Sequence, residues 1–323
     1  MAGARGDGRG GVLQPLARPE GAAVKPAPAF RIDPARKLRD EFGRIVEETC
    51  DAVAVHLNAA DHRRGLHEAR KALKKLRALL RLVRAAEPKS LKVQEHRFRD
   101  AARAIAGSRE ATAAVETLER LIAAHPDRIV DCRLGEIRCH LLARCAQAGA
   151  GLDEARGEAS ALCIEARDEL RGLAFDEKLS DDAVLAEGME RTLRHWKKAL
   201  EAAGKDGEAE DFHELRKAVK AHWAQLGLLR AFGLRGVGQR REAVEALGER
   251  LGELNDIHVM REAVARGTLG PPADLDTRAF DRLLKKEAKA LAAAALPQAK
   301  KLLQSRPDGL RRRMRKAAAK LAA

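Results

Sequence analysis

The chain has 323 residues, a formal net charge of +14 and a pI near 9.9, which together indicate a polyanionic partner. Aromatic residues make up only 3% of the sequence and Tyr is absent, so recognition of single-stranded nucleic acid by base stacking is disfavoured. The apolar residues are mostly Ala and Leu, which favours helix over sheet. No apolar run reaches the length of a membrane span.

Residues 1–30 are rich in Gly, Ala, Pro and Arg and lack the apolar segment of a signal peptide, so they are predicted to be a disordered tail. The five cysteines form no CxxC pair, which predicts a reduced, cytoplasmic chain without a disulfide or zinc framework.

From Asp33 onward, apolar residues recur with helical periodicity. A first helix is predicted to open with Asp33 as its N-cap, and three more cover 61–87, 90–106 and 109–124. Four consecutive amphipathic helices with short connections are typical of an antiparallel bundle, which is assigned to residues 31–126.

The second half of the chain restarts the same pattern. Residues 127–179 are predicted to hold connecting helices, 180–267 a second four-helix bundle, and 275–323 basic C-terminal helices. The predicted helices of the second bundle cover 181–203, 211–232, 239–254 and 255–266. The fold class is therefore predicted to be all-α, with two four-helix bundles and extra connecting and C-terminal helices.

The two halves are related by a sequence repeat with an offset of 146 residues. Ten of nineteen positions are identical between 66–84 and 212–230, and the same offset aligns Arg109 with Asn255. The repeat predicts two similar bundles whose basic helices face each other across a pseudo-two-fold axis. Asn255 and the following Asp are interpreted as a helix N-cap, in preference to groups that orient neighbouring arginines or bind an ion.

The helix predicted at 61–87 concentrates the positive charge. Residues 62–84 hold nine Lys/Arg and one Glu, a net charge of +8. At 100° per residue the polar stripe contains His67, Arg70, Lys71, Lys74, Arg77 and Arg81, and the opposite face Ala69, Leu73, Leu76, Leu80 and Val83. The repeat at 212–230 carries only +3, so the first copy is expected to supply most of the affinity. Trp223, at the edge of the second stripe, is interpreted as a packed residue in preference to a support for an arginine.

Four motifs in order, HEARKALKKLRALLRL, RDAARAIAGSRE, FHELRKAVK and LGELNDIHV, resemble the CHAD family, the conserved histidine α-helical domain. The resemblance implies a pseudosymmetric pair of four-helix bundles that binds inorganic polyphosphate along a basic surface between them. It also implies that no catalysis is established and that stand-alone members associate with polyphosphate granules in bacterial cytoplasm. Matched motif positions imply binding roles for His67, Arg70, Lys71, Lys74, Arg77, Arg81, His213, Arg216, Lys217 and Lys220, and neighbouring polar faces add Arg99, Arg103 and Arg109.

The residues support this interpretation on physical grounds, because a phosphate polymer has no base or sugar and requires mainly a ladder of cations at helical spacing. One alternative is a nucleoid-type DNA- or RNA-binding protein, but the chain has no helix-turn-helix, zinc-finger or RNA-recognition signature. Nucleic acid is therefore expected only as a non-specific competitor. The other alternative is a phosphate-chain hydrolase, which would require clustered carboxylates for metal ions. No catalytic residue, metal or cofactor is predicted.

Overall fold

The protein is described by a computed structural model over residues 30–147, 151–205, 207–267, 277–305 and 312–316, without the side chains of residues 107–111, 144, 146 and 147. The predicted N-terminal tail and much of the basic C-terminal segment lie outside the described residues. The helices are α1 (Leu38–Leu57), α2 (His62–Leu82), α3 (Pro88–Ala104), α4 (Gly107–Ala124), α5 (Leu134–Gln147), α6 (Leu152–Arg171), α7 (Asp181–Lys205), α8 (Ala209–Leu228), α9 (Val237–Ala265) and α10 (Arg278–Gln304). The described ranges contain no strand, which confirms the predicted all-α class.

The first helix begins later than the sequence predicts because Asp33 has a different partner. Its Oδ1 accepts a hydrogen bond from the backbone N–H of Ala35 at 3.0 Å, within a turn. The backbone N–H of Leu38 instead donates to Oδ2 of Asp181 at 2.9 Å, from the start of α7. The N-terminus of α1 is thus stabilised by a carboxylate from the other half of the chain.

Helix α2 forms where its sequence pattern predicts it. Asp61 caps its N-terminus by accepting a hydrogen bond from the backbone N–H of Arg64 at 3.0 Å. The predicted apolar face is buried, since Ala69, Leu73, Leu76, Leu80 and Val83 are all fully buried. The helix ends at Leu82, earlier than predicted, and Pro88 is the first residue of α3.

The helix packing differs from the predicted bundle assignment in both halves. In the first half, α6 packs against α1 and α3, in the place that the sequence predicts for the helix at 109–124. In the second half, the segments predicted as two helices at 239–254 and 255–266 form the single helix α9, and α10 completes the group by packing against α7 and α9. Helix α4 packs mainly against α5 and α9 and makes a smaller contact with α2.

The two halves share one hydrophobic core, and α2 contacts both α7 and α8. At one crossing the chains touch through backbone, because a Cβ atom at Gly188 in α7 would lie 1.8 Å from the carbonyl oxygen of Leu82. Only glycine permits this approach. Within the described ranges, all five cysteines are free thiols and no helix combines the length and apolarity needed to cross a bilayer.

Candidate anion-binding groove

The polar stripe of α2 faces away from the core and toward α8. Because successive residues at i, i+3, i+4 and i+7 share one helix face, burial of the leucine face leaves the basic residues on the opposite side. Arg70 donates from Nη1 to the carbonyl oxygen of Ala102 in α3 at 2.8 Å, which fixes the direction of its guanidinium.

Cations from α2 and α8 meet at Lys74. The pKa of Lys74 is lowered to about 8, first because the surrounding protein displaces water from its ammonium group, and then because Arg70, Arg216 and Lys220 repel its proton. The side chain is nevertheless exposed to solvent. A group that is crowded by protein and still open to water lies on a concave surface. We call the surface lined by Arg70, Lys74, Arg77, Arg216 and Lys220 the central groove.

Glycines in helix α9 leave space for the side chains of Arg216 and Lys220 of α8. A Cβ atom on Gly248 would lie 2.9 Å from Cε of Lys220, and one on Gly252 would lie 3.3 Å from Nη2 of Arg216. The two glycines, four residues apart on one face of α9, therefore let both side chains lie against the helix. Burial lowers the pKa of Arg216, and burial followed by the charge of Arg216 lowers that of Lys220.

Carboxylates neutralise Lys71 and Lys217, two lysines beside the central groove, more than they neutralise the cations at its centre. Lys71 forms an ion pair with Glu68 at 3.0 Å, and Lys217 forms one with Glu214 at 2.5 Å. Both pairs have i,i+3 spacing and occupy repeat-related positions. Among the described residues, no carboxylate forms an ion pair with Lys74, Arg216 or Lys220. The charge available to a ligand is thus concentrated at the centre of the groove.

At the C-terminal end of α2, Glu95 of α3 binds three arginines. Its Oε1 lies 2.6 Å from Arg81 and 3.6 Å from Nη2 of Arg77, and its Oε2 accepts a hydrogen bond from Arg84. Burial acts to raise the pKa of Glu95, but the charges of Arg81 and Arg84 and the Arg81 hydrogen bond outweigh it, so the pKa is lowered. Arg77 and Arg81, predicted as ligand contacts, therefore already hold an internal anion.

The two motif histidines differ in their surroundings. His67 is exposed on α2. His213 is half-buried, and its Nδ1 lies 2.7 Å from Oδ1 of Asn255 in α9. Since an amide oxygen only accepts, Nδ1 is the donor of this hydrogen bond. Asn255 lies inside continuous α9 and orients this histidine, so its interpretation as an N-cap is wrong.

Arg241 of α9 is a candidate residue that sequence reasoning missed. Its guanidinium carbon lies 4.4 Å from the ring centroid of Trp223, and Nζ of Lys220 lies 5.7 Å from the same centroid. Burial lowers the pKa of Lys75, and the charges of Lys71 and Arg241 lower it further, so Arg241 lies close to α2. Trp223 packs against the hydrophobic core, as predicted, and its ring also supports an arginine beside the groove.

A separate concave site lies between α8, α9 and α10, with a volume of about 520 Å³. Its cations are already paired, since Asp281 lies 2.6 Å from Nζ of Lys285 and 3.4 Å from Nε of Arg261. This cleft therefore offers less unneutralised charge than the central groove.

The profile of the CHAD domain matches residues 44–265, more than half of the chain. The chain belongs to the CHAD domain family. No curated protein sequence matches it.

Two solved structures share the CHAD architecture. The CHAD domain from the plant Ricinus communis superposes with a TM-score of 0.55 at 18% identity, covering 89% of this chain and 98% of the plant chain. PptA from Streptomyces chartreusis superposes with a TM-score of 0.61 at 16% identity, covering 82% of this chain and 100% of its own. At these identities the likeness establishes the fold.

Of the remaining predicted site residues of this CHAD domain, Arg99 and Arg103 lie on α3 and Arg109 lies in the first turn of α4. Arg99 donates to Asp100 at 2.9 Å, and its charge acts on Arg77, which places it at the α3 side of the groove. Arg103 is exposed and lies 3.7 Å from Asp100. The side chain of Arg109 lies outside the described residues.

The opposite side of the groove carries negative charge. Glu245 and Glu249 of α9, which the repeat aligns with Arg99 and Arg103, act to raise the pKa of Lys220. The α3 side of the groove is therefore more basic than the α9 side.

Proposed function

We propose that this CHAD domain binds inorganic polyphosphate in the central groove and does not alter it chemically. The observation that carries the proposal is the meeting of Lys74, Arg216 and Lys220, three cations from two helices, on a concave and solvent-open surface. Mutual repulsion of this kind destabilises the unliganded protein and is relieved when a polyanion enters. A chain of phosphates with about one charge each matches such a surface.

The geometry also favours a featureless polymer over a compact ligand. Cations spaced by one helical turn rise about 5.4 Å along α2, so one helix can contact successive phosphates. Arginine supplies paired donors to the non-bridging oxygens, and lysine supplies a point charge. Such contacts depend on the spacing of the ligand's charges and do not distinguish between bases or sugars.

The absence of catalysis is part of the proposal. Glu68 and Glu214, the carboxylates that follow the motif histidines of α2 and α8, each bind a lysine of their own helix, and Glu95 binds arginines. A hydrolase that uses metal ions would require such groups to be free for coordination. Turnover of long-chain polyphosphate in the presence of magnesium would overturn this part of the proposal. Residence in the cytoplasm and at polyphosphate granules remains a prediction from the family resemblance.

The test is a pair of charge reversals matched to a control. Lys74→Glu with Lys220→Glu should reduce polyphosphate affinity by at least about a hundredfold, since each replaces attraction with repulsion at the centre of the groove. Lys197→Glu with Lys301→Glu makes the same change of net charge at exposed positions on α7 and α10 and should have a small effect.

Fluorescence titration with polyphosphate of defined length measures both affinities, and circular dichroism checks that helicity is retained. Equal losses of affinity in the two double variants would show that only net charge matters and would contradict binding in the central groove. Duplex DNA at equal phosphate concentration should fail to displace polyphosphate, and efficient displacement would favour the nucleic-acid alternative.

A further inference from the structure

The arginine cluster at the end of α2 is under-neutralised. Arg77, Arg81 and Arg84 surround the single carboxylate of Glu95, whose side chain is only 9% exposed. The Nε atoms of Arg77 and Arg84 are buried and have no hydrogen-bond partner among the described residues. Three guanidinium groups offer far more donors than one carboxylate can accept, and the cluster keeps a net charge of about +2 at neutral pH.

The repeat shows a different solution at the equivalent positions. An offset of 146 aligns Arg77 with Trp223, Arg81 with Gly227 and Glu95 with Arg241. In the second half the α9 position therefore carries a cation, which rests on an aromatic ring without a carboxylate partner among the described residues. In the first half Glu95 partly neutralises the arginine cluster, whereas in the second half Arg241 remains available to a ligand.

The cluster continues the groove along α2. The charge of Arg77, one turn further along the helix, lowers the pKa of Lys74. The charges of Arg81 and Arg99 in turn lower the pKa of Arg77. Arg77 and Arg81 remain 22% and 30% exposed, so an incoming phosphate can reach them. A polyphosphate chain that follows the α2 stripe from its centre toward Leu82 would meet the position that the Glu95 carboxylate occupies.

We infer that Glu95 is an internal counter-anion, which holds Arg77 and Arg81 in place of a phosphate group and limits the affinity of the groove for polyphosphate. The carboxylate is tethered and therefore competes at high effective concentration with each phosphate of the ligand. It also orients the guanidinium groups when no ligand is present. This inference rests on the proposed function, and it assigns Glu95 a role in setting affinity that a purely structural ion pair would not have.

The test compares two buried glutamates that bind arginines. Glu95→Gln removes the competing charge, and Glu41→Gln makes the same change on α1, where Glu41 pairs with Arg36 and Arg44 away from the groove. Both variants should lower the melting temperature, because each leaves arginines without their carboxylate. Only Glu95→Gln should bind polyphosphate more tightly, by about tenfold, with a steeper dependence of affinity on salt.

Equal or weaker binding by folded Glu95→Gln would overturn the inference. If that variant does not fold, Glu95→Asp keeps the charge but withdraws the carboxylate by one methylene group. It should bind about threefold more tightly than the wild type, and unchanged affinity would again overturn the inference. Failure of the wild type to bind polyphosphate would contradict the proposed function itself. If the wild type binds but the Glu95 variants bind no more tightly, only this role of Glu95 is contradicted.

Discussion

Polyphosphate binding should draw protons from solution through Lys74. Its pKa of about 8 in the free protein compares with an ordinary value of 10.5, and the shift results from lost hydration and from four nearby cations. A bound polyanion neutralises those cations and should return the pKa toward its ordinary value. From the Henderson–Hasselbalch relation, binding should then take up about 0.1 proton at pH 7, about 0.5 at pH 8 and about 0.9 at pH 9.

Isothermal titration calorimetry measures this uptake directly, by comparing binding heats in buffers of different ionisation enthalpy at each pH. Lys74→Gln should abolish most of the uptake between pH 8 and pH 9, whereas Lys197→Gln, at an exposed lysine on α7, should leave it unchanged. Proton uptake that is flat across this range, or that survives in Lys74→Gln, would refute the reasoning that α2 and α8 crowd their cations at one point.

The same shift has a consequence for the stability of the free protein. Because the folded pKa lies below the ordinary value, folding disfavours charged Lys74, and this penalty is fully present below about pH 8. The penalty disappears as the pH rises from about 8 to 10.5. Lys74→Gln should therefore raise the melting temperature at pH 7 and have a smaller effect at pH 10, and thermal unfolding followed by circular dichroism at both values tests the sign.

Polyphosphate affinity should fall with salt at a log–log slope of about −4 if about five phosphates are neutralised, and a slope near zero would exclude the groove as the binding surface. Arg241→Ala should weaken binding about tenfold in fluorescence titrations without loss of helicity, and an unchanged affinity would show that this residue lies off the ligand path. Gly248→Ala should stabilise α9 by about 1 kcal/mol in denaturant titrations, because alanine favours helix over glycine. It should nevertheless weaken polyphosphate binding, because the added Cβ would crowd Lys220. Stability and affinity that rise or fall together would contradict this reasoning.

Local patterns in the sequence predicted the helices well, and long-range packing accounts for the differences. The leucine face of α2 and its Asp61 cap follow from residues adjacent in sequence. The start of α1 does not, because its capping carboxylate, Asp181, lies 143 residues away. The membership of α6 in the first bundle was not predictable either, because periodicity identifies an amphipathic helix without showing which apolar face it meets.

Sequence reasoning identified the groove through the basic stripes, since a focused run of cations on one helix face is visible in the sequence. It could not show that Glu95 would bind Arg77 and Arg81, because the carboxylate comes from another helix. The offset of 146 residues does contain the signal for Arg241, because it aligns Glu95 with Arg241 and Arg77 with Trp223. A repeat is thus as informative where its copies differ in charge as where they agree.

The backbone contact between Gly188 and Leu82 offers independent control over the spacing of the two basic helices. Because α2 and α7 meet there with no side chain between them, one added methyl group would act as a wedge that separates α2 from the second half of the molecule. Such a wedge would leave the number and type of the cations unchanged and increase the distance between the opposing rows. It would therefore separate the contribution of fit from the contribution of charge, two quantities that substitutions within the rows always change together.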